Sequence, residues 1–212
     1  MNTKTAFQFD QFYHIYNRTH NKDDLFKEER NFSFFLYKYK VYLGPFLDIH
    51  AYALIRNHFH FSVKVKSQHA INRNLIGFRE KGKTVAISNY LESTNQEDSI
   101  HQLLINQHNR FFVSYTKSFN KVYNRTGGLF QRSFKHSLFN PDVKFKYLQY
   151  YIHHNGRKHG LVDDFRDYAY TSYDEICYLD NSIISSDFVI NKFGGISKFR
   201  QFHEEDAQIY LG

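Results

Sequence analysis

From Phe59 onward apolar and polar residues alternate without a break. Phe59, Phe61, Val63 and Val65 fall on one side, and His58, His60, Ser62 and Lys64 on the other. A period of two predicts a half-buried strand whose two histidines project from one face. Residues 47–55 read as a preceding strand, and Arg56-Asn57 as a tight connection, so the pair is expected to form an antiparallel hairpin. Upstream, residues 7–17 read as a first strand, rich in β-formers from Phe12 to Tyr16, and closed by a polar turn at 17–21.

The other periodic stretches are helical. Asp23-Asp24 is expected to open a helix with acids at its positive end, running to about Leu43 and stopped by Gly44-Pro45. Residues 67–83 and 101–120 show helical spacing, whereas 88–100 is polar and reads as a loop. A basic loop at 123–128 precedes a strand expected over 129–138. Asn140 and Pro141 form a helix-start signal, cap followed by first turn, for a helix ending near Gly156. From Leu161 the pattern breaks into short helices. The order strand, helix, strand, strand, helices, strand, helix predicts an α+β fold, a ferredoxin-like antiparallel sheet covered by helices. One domain is expected, with a core at about 7–160 and a helical C-terminal extension at about 161–212.

Composition narrows the class. The 212 residues carry 28 Lys and Arg against 21 Asp and Glu, a formal charge of +7, with 23 Phe, 17 Tyr and no Trp. Positive charge attracts polyanions and flat rings stack on unpaired bases, so nucleic acid is the expected partner, single strands above duplex. The lone Cys177 excludes an intramolecular disulfide and fits a reducing compartment. No apolar run is long enough for a signal peptide or a bilayer span, so a cytoplasmic, nucleoid-associated protein without membrane contact is expected.

Two imidazoles side by side on a strand can share one metal ion, though the same pair also suits a wet sheet face. On that evidence a zinc-dependent hydrolase and a catalytically silent nucleic-acid-binding regulator are both open readings. His14, His50, His153, His154 and His159 read as structural or surface residues.

Four stretches, in order, resemble the single-tyrosine transposases with a His-hydrophobe-His motif, specifically the REP-associated tyrosine transposases. They are Tyr13-His14-Ile15-Tyr16-Asn17-Arg18, Asn57-His58-Phe59-His60, residues 128–135, and Tyr151-Ile152-His153-His154-Asn155 with residues 158–162. The resemblance covers about Phe7 to Tyr173. It departs at Gly156, where the commoner family residue is Pro. It implies a metal-dependent endonuclease and strand transferase acting on single-stranded DNA, at hairpins with a flanking guide sequence, as monomer or homodimer. It further implies His58, His60 and Asn155 as ligands of Mg²⁺ or Mn²⁺, and Tyr151 as the nucleophile that forms a 5′-phosphotyrosine. Arg18, Arg125, Arg132, Lys135, Arg157 and Lys158 flank these motifs and are expected to contact DNA.

Helix geometry separates the neighbouring tyrosines. At about 100° per residue Phe145, Leu148 and Ile152 form a stripe expected to face the sheet. Tyr151 lies at its edge and shares a face with Asn155 four residues on. Tyr150 points about 140° away from Asn155, and Tyr147 reads as packing or DNA contact.

Overall fold

The alternation at the histidines becomes a strand paired on both sides. The computed structural model describes residues 5–20, 23–76 and 84–205. Among these, β1 (Phe12–Arg18), β2 (Leu47–Ile55), β3 (His58–Val65) and β4 (Lys135–Phe139) form one antiparallel sheet in the order β2-β3-β1-β4. The antiparallel sheet covered by helices agrees with the α+β fold expected from the sequence. It puts β1 between β3 and β4, with Tyr16 opposite His60 and Arg18 opposite His58.

The two faces divide by chemistry. Phe59, Phe61, Val63 and Val65 are buried on one face, under α1 (Glu29–Leu43) and α4 (Gln96–Val122). Tyr39 stacks on Phe61 at 3.9 Å, and Phe35 and Phe111 fill the space beside it. The histidine face is half covered by α5 (Pro141–His153), whose Ile152 packs on Ala51, Ala53 and Ile55. Those small residues lie opposite Ser62 and His60, and leave a trough for the helix. Leu148 and the buried Phe145 complete the stripe that the sequence assigned to the sheet.

A bulge at His50 makes the faces agree. The ladder runs Ile49 opposite Val63 and then Ala51 opposite Ser62, so His50 is an extra residue. Before it the odd positions Leu47 and Ile49 face the apolar core; after it the even positions Tyr52 and Leu54 do. His50 turns to the other face and stacks on Phe188 at 4.6 Å.

Four expected boundaries move. Residues 88–100 are not a loop: α3 (Val85–Glu92), capped by Thr84, buries Ile87 and Tyr90, and α4 already begins at Gln96. The first strand starts at Phe12, not Phe7. Helix α1 starts at Glu29, because Asp23 and Asp24 are paired with Arg125 and Arg56 instead of serving a helix end. The strand expected at 129–138 is regular only from Lys135, and Phe130 makes a single bridge to Thr19. The helix expected at 67–83 is observed as α2 (Gln68–Ile76); residues 77–83 lie outside the described set.

After α5 the chain makes one further turn, α6 (Asn155–Lys158), then a 3₁₀ turn at Phe165–Asp167, α7 (Tyr173–Cys177), α8 (Ser186–Phe193) and α9 (Ile196–Glu204). This helical C-terminal part braces α5 from outside. Buried His153 meets His203 of α9 at 2.8 Å and Ser172 at 2.9 Å, and His203 reaches the Phe199 carbonyl. Burial holds both imidazoles far toward the neutral form, His203 at about 3. Among the described residues no helix is long and apolar enough to cross a membrane.

Gly156 is explained by Tyr168, whose hydroxyl donates to the Leu54 carbonyl while its ring lies against α6. A Cβ at position 156 would meet Tyr168 Cγ at 2.5 Å. Gly156→Ala is therefore expected to destabilise the fold by about 1–3 kcal/mol through overpacking. A lowered urea midpoint at unchanged slope checks this.

Candidate functional site

Most side chains of the site enter from regular elements. β3 presents His58 and His60, β1 presents His14, Tyr16 and Arg18, and α5 with α6 presents Tyr151, Asn155, Lys158 and, just past its end, His159. The His58 and His60 rings stand 5.3 Å apart at 89°. The Tyr151 ring meets His60 edge-on at 5.5 Å. One helical turn later, buried Asn155 gives its Nδ2 to the Tyr151 carbonyl at 2.7 Å, which fixes the amide. Its Oδ1 is buried and has no hydrogen-bond partner among the described residues. A partnerless buried oxygen costs about 1–3 kcal/mol unless something fills its place.

The donor set fits a divalent cation. His58 Nδ1 lies 2.7 Å from Asn57 Oδ1, which can only accept, so the proton sits on Nδ1 and Nε2 is bare. His60 Nδ1 lies 2.9 Å from His14 Nε2, so its own Nε2 is again the nitrogen not engaged. Burial pushes His58 down to about 4, helped by His159 and Arg18, and pushes His60 well below the ordinary imidazole value. Neutral imidazole is the ligand form. Among the described residues no three His, Cys, Asp or Glu side chains gather to hold a metal. A third protein donor would therefore be of another type, and the Asn155 amide oxygen has that chemistry.

The phenol is held protonated in this state. Burial raises the Tyr151 pKa, with Tyr16 adding to the effect and the Asn155 side chain acting in the opposite sense. Lys158 Nζ lies over the ring at 4.6 Å, a cation–π contact that also puts positive charge beside the phenol. Tyr150 faces away, as the helical wheel requires: it stacks on His154 at 3.9 Å and touches Phe202 and His203. Tyr147 packs against Phe202 as well.

Beside His58 opens a cleft of roughly 290 Å³, lined among others by Arg18, Gln131, Ser133, Lys135 and His159. The irregular run before β4 makes its far wall, tied to β1 through Asn17 Nδ2 to the Gln131 carbonyl and Gln131 N to the Arg18 carbonyl. Of the six basic residues singled out from the sequence, Arg18 and Lys135 line this cleft and Lys158 covers Tyr151. Arg132 is exposed between two cleft-lining residues. Arg157 faces a separate depression with Asp163, Asp164 and Arg166. Arg125 braces its own loop, bound to Asp23, Asn120 and the Gly128 carbonyl.

Sequence reasoning read His14 and His159 as structural or surface residues and gave Tyr16 no role of its own. His159 stands 4.6 Å from His58, and Tyr16 stacks between His14 and Lys135. The period-two pattern of β1 groups His14 and Tyr16 with Arg18, but only the pairing of β1 with β3 brings that group to the histidines.

No protein-family model matches the chain, and no curated protein does. Among solved structures, the fold is similar to that of a REP-associated tyrosine transposase bound to a REP hairpin. The TM-score is 0.52, over 88% of this chain and 89% of that one, at 11% sequence identity. The likeness in fold thus spans nearly the whole chain, and it is one of architecture.

Proposed function

We propose that this protein is a divalent-metal-dependent endonuclease and strand transferase for single-stranded DNA, working through a tyrosine at hairpin-associated sites. The observation that carries the reading is Tyr151 edge-on to His60 at 5.5 Å, with the partnerless amide oxygen of Asn155 one turn behind it. The fold shared with a transposase that holds a DNA hairpin supports the choice of substrate.

His58, His60 and Asn155 would hold the ion, and two imidazoles with one amide oxygen suit Mn²⁺ as well as Mg²⁺. When bound, it supplies Lewis acidity that makes a phosphate more electrophilic. Arg18 and Lys135 would bind backbone phosphates in the cleft and draw the strand past His58. Tyr151 Oη attacks the phosphorus, and the P–O3′ bond breaks as the new P–O bond forms. The phenol proton leaves to solvent, and the 3′ oxygen takes a proton and departs as a hydroxyl. Positive charge from Lys158 favours the phenol as it loses its proton. The 5′-phosphotyrosine keeps the phosphodiester energy, so a second 3′-hydroxyl can displace Tyr151 and rejoin the strand without ATP.

Single-stranded hairpins incubated with Mn²⁺ should yield a covalent protein–DNA adduct. Tyr151→Phe is expected to eliminate it while fold and binding persist, and Tyr150→Phe to retain it. Peptide mapping decides between them, and DNA attached at Tyr147 or Tyr150 would overturn the assignment.

Replacing His58 or His60 with Ala should abolish ion-dependent cleavage, a loss of at least about 10³-fold if the ion supplies several kcal/mol. Hairpin binding should remain measurable by fluorescence anisotropy. Cleavage by His60→Ala at the native rate would disprove the ligand role.

Hairpin affinity should fall steeply with salt. Arg18→Ala and Lys135→Ala are each expected to lower the log–log slope by about 0.7–0.9. Arg125→Ala, whose partners are within its own protein, should leave the slope unchanged.

A further inference from the structure

A histidine that binds a cation through Nε2 needs its proton held on Nδ1, and a neighbour that accepts it. For His58 that neighbour is Asn57. We propose that His14 does the same for His60: His14 Nε2 accepts the Nδ1–H of His60 and fixes the ring in the tautomer whose Nε2 lone pair is bare. His14 would then be a positioning residue for the ion, an inference that rests on the reading of His58 and His60 as ligands.

The geometry points this way from both sides. The two nitrogens lie 2.9 Å apart, and the rings are 5.1 Å apart at 21°, close to coplanar orientation. His14 sits opposite Ser62, so it is the diagonal neighbour of His60 on the same sheet face. Its ring has little freedom to turn away. Tyr16 stacks on one side at 4.8 Å and 27°, and Tyr151 meets it edge-on at 6.1 Å and 80°. One side chain thus touches both the ligand and the nucleophile.

The test compares the native chain with His14→Ala and His14→Gln. Titration calorimetry with Mn²⁺ should show His14→Ala weakened by roughly 10–100-fold, the usual cost of removing a ligand's outer partner. His14→Gln, whose amide oxygen can accept the same proton, should recover most of that loss. A merely structural role would move the melting temperature of both variants without this split. Long-range ¹H–¹⁵N spectra of the metal-free protein give a second readout: His60 should carry its proton on Nδ1 in the native chain, and a mixture of tautomers in His14→Ala. A native spectrum with the proton on Nε2, or a folded His14→Ala protein with native Mn²⁺ affinity, overturns the role of His14. A native chain that does not bind Mn²⁺ instead refutes the metal reading beneath it, and the role of His14 falls with it.

Discussion

The pairing of β1 with β3, Tyr16 opposite His60, is the contact on which the candidate site depends. β3 alone offers two histidines on a face. The first strand supplies the companion that engages His60, the ring that stacks beside it and the cation at the mouth of the cleft. Because the ladder repeats every two residues, a slip of one position would send His14, Tyr16 and Arg18 into the apolar core together. The buried opposite face makes that slip costly, so packing on one side enforces register on the other.

The histidine face also has to be dry and reachable at once. Where α5 lies in the trough over Ala51 and Ala53, the sheet is sealed, and His60 is buried there, as is Asn155 on the turn that follows. Before β4 begins, the run from Phe130 to Phe134 is held to β1 at Phe130 and Gln131 without forming a regular ladder, and the surface opens beside His58. The site lies on the boundary between these regions. Its groups are desolvated enough to stay neutral, yet the cleft opens on the side of Arg18 and Lys135. Desolvation strengthens charge interactions there, as a lower effective dielectric always does.

How much of this was legible in the sequence follows from the range of each constraint. Local periodicity carried the histidine strand, the sheet-facing stripe of α5, and the separation of Tyr151 from Tyr150. The Asn-Pro start signal carried the Asn140 cap, which accepts from Asp142 N. The bulge at His50 was hidden, since one extra residue shows only when the partner strand is laid beside it. The acids at 23 and 24 resembled a helix start until their arginine partners, distant in sequence, were in place. Residues 88–100 looked like a loop because their polar side chains outnumber Tyr90 and Ile100, the two that are buried among them. His14 lay 46 residues from His60, and no local pattern could join them.

The brace on α5 has a consequence for how the chain is made. His203, which locks His153 from outside, lies 50 residues further along. At about 5–20 residues per second, synthesis delivers it roughly 3–10 s after the helix that carries Tyr151. During that interval the outer face of α5, with Tyr150, His153 and His154, has no α9 to lean on. The tyrosine helix thus receives this partner only after all four strands beneath it have been made.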